Sequence, residues 1–247
     1  MVHYYTLITG ASSGLGREVA IRLSGEGNIV IHGRNREKLA ETKRLCGTRH
    51  HVSIWPFDLN DIDHVEEALA KFIEQEQIAI DGFVHCAGVL KMIPLRSVTL
   101  RALQESYNVH VFAPELMIKV LGTRRNHKAL KSAVLISSNI ADRGAAAFSV
   151  YGSSKAAADG IARNLAIELA PDIRVNSIQP GPMRTDMTEE MYREERGDMA
   201  KSKKLYGDGR PTHIVPMIQF LLSDQADWIT GQNITIDGGI TLDITER

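Results

Sequence analysis

Apolar positions follow two alternating rhythms along this chain. Tyr4-Tyr5-Thr6-Leu7-Ile8 is a short β-branched and aromatic run that reads as a strand, and Arg17-Glu18-Val19-Ala20-Ile21-Arg22-Leu23 repeats its apolar residues at helical spacing. Carried onward, the pattern predicts strands near 4–9, 28–32, 51–56, 80–86, 132–137, 173–179 and 233–236. Helices fill the gaps at about 14–25, 35–46, 61–76, 99–121, 151–169 and 212–222, the fourth of them interrupted. That order requires a mostly parallel sheet of about seven strands with helices on both faces, a Rossmann-like doubly wound α/β fold. Right-handed crossovers then bring the loop after the first strand, Ala87-Gly88, Ser138 and Pro180-Gly181 to one carboxyl edge, where ligand binds.

The loop after the first strand is Thr9-Gly10-Ala11-Ser12-Ser13-Gly14-Leu15-Gly16. Glycines between a strand and a helix permit a tight turn and let a diphosphate approach the backbone, while the free N–H groups at the helix start bind the anion. The spacing G-x-x-x-G-x-G differs from the generic G-x-G-x-x-G, so the run alone is also compatible with a structural turn.

Far downstream lies Tyr151-Gly152-Ser153-Ser154-Lys155. Residues four apart share a helix face, so Lys155 sits one turn from Tyr151 and favours its phenolate. A free tyrosine has a pKa of about 10, and a neighbouring cation brings it into the range of acid–base chemistry. Ser138 ends the strand-like run Ala133-Val134-Leu135-Ile136-Ser137-Ser138 and offers a hydroxyl to the same reacting oxygen.

Taken together, these segments resemble the short-chain dehydrogenase/reductase family, in its single-domain branch that contains the 3-oxoacyl-carrier-protein reductases. The resemblance runs through the glycine loop, Asp58 in Phe57-Asp58-Leu59, Ala87-Gly88 and Asn108 in Tyr107-Asn108-Val109. It continues through Ser138, Tyr151, Lys155 and Pro180-Gly181-Pro182-Met183-Arg184-Thr185, then Ile229-Thr230-Gly231-Gln232 and Asp237-Gly238-Gly239. It implies interconversion of a carbonyl and a secondary alcohol by hydride transfer. Tyr151 would be the proton donor or acceptor, and Ser138 would hydrogen-bond the substrate oxygen. Lys155 would hold the nicotinamide ribose and depress the tyrosine pKa, and Asn108 would hold water near Lys155. Asp58 and Leu59 would meet the adenine side, and Gly10, Ser12, Ser13, Gly14, Leu15 and Gly16 the diphosphate and ribose. Ala87, Gly88, Pro180, Gly181, Met183 and Thr185 would complete the cofactor contacts. No metal is required, because Ser138 and Tyr151 supply the electrophilic assistance. One departure is His85-Cys86-Ala87-Gly88 where the family commonly has Asn-Asn-Ala-Gly, which removes an asparagine that ties the central strand to its neighbour.

Charge argues the cofactor's phosphate state. After the second strand comes His32-Gly33-Arg34-Asn35, with no carboxylate to accept the adenosine ribose hydroxyls, and Arg34 suits a 2′-phosphate. The expectation is NADP(H) over NAD(H), although Ser13 stands where the family often has a further basic residue.

The 247 residues suit one domain, 1–247, with the charged, methionine-rich stretch 187–209 as a lid over substrate. A net charge of −1 gives no reason to expect nucleic acid or an anionic membrane as partner. Neither a leader nor a membrane-length apolar run is evident, and Cys46 and Cys86 are the only thiols, which points to a cytoplasmic protein without disulfides. The helix from Tyr151 carries Ala156, Ala157, Ala158, Gly160 and Ala162, a small-residue surface that predicts a homo-oligomer, a tetramer in the resembled family. A non-catalytic NAD(P)-binding redox sensor or scaffold is the alternative to an enzyme. Substrate candidates stay broad: a β-ketoacyl chain, a steroid, a sugar-derived ketone or a small diketone.

Overall fold

Among residues 3–189 and 208–242, which the computed structural model describes, seven strands form one sheet. They are β1 (His3–Thr9), β2 (Ile29–Gly33), β3 (Val52–Pro56), β4 (Ile78–His85), β5 (Ser132–Ile136), β6 (Arg174–Pro180) and β7 (Asn233–Ile236). Their order is β3-β2-β1-β4-β5-β6-β7 and every pair is parallel. Because side chains alternate along a strand, each strand feeds two cores. On β1, Leu7 joins one and Ile8 the other.

The helices are α1 (Gly14–Leu23), α2 (Arg36–Leu45), α3 (Val65–Glu76), α4 (Leu100–Tyr107), α5 (Ala113–Leu121), α6 (Ser149–Glu168) and α7 (Pro211–Leu222). Leu15, Val19, Leu39, Ile218 and Leu221 place α1, α2 and α7 on the Ile8 face. Leu69, Met117, Ile118, Ala162 and Ala166 place α3, α5 and α6 on the Leu7 face. No helix among the described residues is long and apolar enough to cross a membrane.

Three features that matter to the site go beyond the sequence expectation. The interruption expected within 99–121 is a π-helical turn, Asn108–Phe112, in which the Ala113 N–H donates to the Asn108 carbonyl. The fourth strand starts at Ile78 rather than at 80, because Gln77 adopts a left-handed conformation (φ 54°) that closes α3 and turns the chain directly into the sheet. Helix α6 begins at Ser149, so Tyr151 lies inside its first turn rather than at its tip. Of the lid expected over 187–209, residues 190–207 lie outside the described residues.

Candidate active site

At the end of β1 the chain turns through Gly10 (φ +68°) into α1. A Cβ at Gly10 would stand 2.7 Å from the Ala87 backbone, and one at Gly16 would stand 2.4 Å from the Gly10 carbonyl oxygen. These two positions therefore admit no side chain. The loop is braced from behind: the Ala11 N–H donates to the His32 carbonyl, the Thr42 hydroxyl to the Ala11 carbonyl, and Arg17 Nη2 to the Ser12 carbonyl. Ser13 caps α1 without a side-chain hydrogen bond and no acidic residue occupies the first turn, which leaves the first N–H groups free for an anion.

A cleft of about 1040 Å³ follows the carboxyl edge of the sheet. Every cofactor-contact residue expected from the sequence lines it, from Gly10 through Arg34, Asp58, Leu59, Ala87 and Gly88 to Pro180, Gly181, Met183 and Thr185. Ser138, Tyr151 and Lys155 line it too. Asn108 does not; its neighbour Val109 takes that place, and the Asn108 side chain donates instead to the Asn60 carbonyl at 3.4 Å. That bond ties the π turn to the loop before α3. Lys38 and Asn35 also line the cleft, beside Arg34, and were not singled out in the sequence. Their signal was available: Lys38 stands four residues after Arg34, on a helix that Asn35 caps by accepting from the Lys38 N–H.

At the other end, Ser138 leaves β5 in extended conformation and its hydroxyl lies beside the Tyr151 phenol, which it pulls towards ionisation. Burial acts more strongly in the opposite direction and holds the phenol above its ordinary value. In the free protein burial therefore sets the direction of the phenol's shift, and the Ser138 hydroxyl opposes it. Lys155 Nζ stands 5.8 Å from the Tyr151 ring centroid and donates to the Ile136 carbonyl at 2.7 Å, which leaves two N–H bonds unspent. Its own pKa is brought down to about 8 by burial, against the opposing field of Asp159.

The departure at His85-Cys86 also has a structural answer. The Val109 carbonyl can only accept, so His85 Nε2, 2.9 Å away, carries the proton, and Nδ1 accepts from the Thr9 hydroxyl at 3.0 Å. The Thr9 oxygen in turn accepts from the Ala87 N–H at 3.1 Å. Histidine thereby joins β1, β4 and the π turn. Cys86 faces the cleft instead, with its thiol pushed up to about 12 by burial. His32 is a second buried ring at the cleft; it packs against Trp55 at 4.8 Å, beside the Phe57 backbone.

A family model described as enoyl-(acyl carrier protein) reductase matches residues 10–241. The 2,3-dihydro-2,3-dihydroxybenzoate dehydrogenase of Bacillus subtilis (strain 168) is 33% identical, covering 96% of this chain and 95% of its own. The 3-oxoacyl-[acyl-carrier-protein] reductase of Thermotoga maritima is 32% identical, over 96% and 97%. Among solved structures, 4-hydroxyisoleucine dehydrogenase complexed with NADH superimposes with a TM-score of 0.88 at 27% identity, covering 96% of this chain and 98% of that one.

Burial of three neutral imidazoles makes stability depend on pH. Burial lowers His32 to about 4 and His85 to about 3, and carries His110 well below its ordinary value, whereas each titrates near 6.5 when unfolded. As pH falls the unfolded chain binds these protons first, so the stability is whole above about 6.5 and is lost below it. Each histidine should contribute a slope of about 1.4 kcal/mol per pH unit between pH 6 and pH 5. Urea unfolding at pH 7, 6 and 5 measures this, and equal stability at all three would contradict the assigned neutral rings.

Proposed function

The chain belongs to the short-chain dehydrogenase/reductase family, and on that premise we propose that it is an NADP(H)-dependent oxidoreductase that interconverts a carbonyl and a secondary alcohol. The observation that carries the reading is the meeting of the Ser138 hydroxyl and the Tyr151 phenol in the cleft, with the Lys155 ammonium 5.8 Å from the tyrosine ring. The residues present fit a nicotinamide dinucleotide: side-chain-free positions at Gly10 and Gly16, unspent N–H groups at the start of α1, and a basic far end at Arg34 and Lys38. When bound, that cofactor delivers or accepts the hydride.

The chain's own groups handle the proton and the oxygen. In reduction, Ser138 donates a hydrogen bond to the carbonyl oxygen while Tyr151, kept protonated by burial, gives it the proton. Lys155 stabilises the phenolate so formed, and its two remaining N–H bonds suit ribose hydroxyls. Asn108 acts from the head of the π turn, through the position of the turn. Arg34 and the absence of a carboxylate beside it favour a 2′-phosphate. The apolar wall beyond Ser138, formed by Leu90, Met92, Ile140 and Phe148, suits a partly apolar substrate.

Assembly belongs to the same proposal. Ala158, Ala162 and Ala166 are among the residues of α6 that turn inward, while Leu95, Leu100, Phe112 and Ile167 are exposed on or beside α4, the π turn and α6. Exposed apolar side chains of this size favour a homo-oligomer, a tetramer with twofold interfaces.

Replacing Tyr151 by Phe should nearly abolish turnover in a screen of carbonyls and alcohols with both cofactors, while NADPH affinity stays near wild type; turnover retained within a few-fold would remove Tyr151 from the mechanism and favour the sensor reading. The Arg34→Ala change should weaken NADPH binding about tenfold or more and NADH binding little, since a charge-assisted bond to phosphate is lost. Equal losses, or a wild type that prefers NADH, would reject the NADP assignment. For assembly, light scattering after size exclusion should give about four times the 27.3 kDa chain mass. A monomer mass would rule the oligomer out.

A further inference from the structure

His110 sits in the π turn, is 1% exposed, and has both ring nitrogens engaged. The Val89 N–H donates to Nε2 at 3.0 Å, so that nitrogen bears no proton and the neutral ring carries it on Nδ1. Nδ1–H donates to Ser154 Oγ at 2.8 Å, and the Ser154 hydroxyl donates onward to the Tyr151 carbonyl at 2.8 Å. The ring edge also meets the Tyr151 ring, with centroids 5.7 Å apart and planes at 88°. One imidazole thus spans three elements: the loop after β4, the π turn and the first turn of α6. The fit around the loop is close, since a Cβ at Gly88 would lie 3.2 Å from His110 Nε2 and 3.7 Å from Lys155 Nζ.

We infer that His110 is a positioning residue for the proposed reaction: it fixes the Gly88–Val89 floor of the cleft against the helix turn that carries Tyr151 and Lys155. The inference rests on the reading of the cleft as a dinucleotide-dependent active site. The floor faces the cofactor and the helix turn faces the substrate oxygen, so the spacing between hydride and proton passes through this ring. Its two bonds serve different ends. The Val89 bond shapes the surface on which cofactor lies, whereas the Ser154 bond places the acid over that surface. A residue that merely filled the core would not separate them.

Two substitutions cut the bonds one at a time. Glutamine reaches the position of Nε2 with a carbonyl and keeps an acceptor for Val89, but loses the link to Ser154; asparagine reaches the position of Nδ1 and keeps a donor for Ser154, but leaves the Val89 N–H alone. NADPH binding is read by fluorescence titration without substrate, and proton-coupled reduction by single-turnover rate. His110→Asn should raise the NADPH dissociation constant about tenfold, the size expected for one buried donor left unpaired. His110→Gln should leave that constant within about twofold and slow the single turnover about tenfold. If either histidine variant does not fold, Ser154→Ala reads the helix side of the link alone and should reproduce the glutamine pattern. Parallel losses in affinity and rate for both histidine variants, or a Ser154→Ala protein with wild-type rate, would overturn the inference. A wild type that binds neither NADPH nor NADH would instead reject the underlying functional reading before any variant is compared.

Discussion

At the centre of the sheet two backbones touch where a side chain would ordinarily separate them. The end of β1 and the end of β4 approach so closely that a Cβ on Gly10 would lie 2.7 Å from Ala87 Cα and N. This contact occurs at the point where the strand order changes direction, β2 lying on one side of β1 and β4 on the other. Connections leave that point towards opposite faces, and the crevice they leave open is the cleft. The hydroxyl of Thr9 bridges the same two ends by accepting from the Ala87 N–H, and His85 passes the connection to the Val109 carbonyl. The glycine loop, the cleft floor and the π turn are therefore bonded along one edge, to which His110 ties α6.

Electrostatics at that edge follow from burial. Burial holds the Tyr151 phenol protonated, which is the form a proton donor needs, and brings Lys155 to about 8, still largely an ammonium at neutral pH. Asp159, one turn beyond Lys155 on α6, supports the charged lysine. It accepts from the Ser177 hydroxyl at 2.6 Å and from Gln179 Nε2 at 2.8 Å, so the carboxylate is solvated by the protein rather than by water. Burial sets the direction of each shift here, and hydrogen bonds and opposite charge moderate it.

Much of the architecture was legible because local signals and the global fold agree. Period-two and helical runs located the seven strands and the helices that cover them, and the carboxyl-edge rule gathered Gly10, Ala87, Ser138 and Gly181. The interruption of the helix near Asn108 was visible as a break in pattern, but its π geometry was not, since a widened turn is fixed by contacts from His85 and Asn60 that are distant in sequence. His110 carried no signal at all. A lone histidine in an apolar stretch acquires its role only when the fold brings Val89 and Ser154 to its two nitrogens. The sign of the Tyr151 shift was missed for a related reason: helical spacing predicts a neighbouring cation, whereas desolvation depends on everything packed around the pair.

The central claim is that this cleft transfers a hydride to a carbonyl carbon while Tyr151 protonates the oxygen. Incubating the wild-type protein with NADPH deuterated at the transferable nicotinamide position and with a carbonyl panel, followed by mass spectrometry and NMR of the products, tests it most directly. The account predicts an alcohol bearing one deuterium on its carbinol carbon and solvent-derived hydrogen on oxygen, formed by the wild type and nearly absent with Tyr151→Phe. Deuterium that stays on the cofactor across the panel, or the same labelled alcohol formed at an unchanged rate without the Tyr151 hydroxyl, would contradict it.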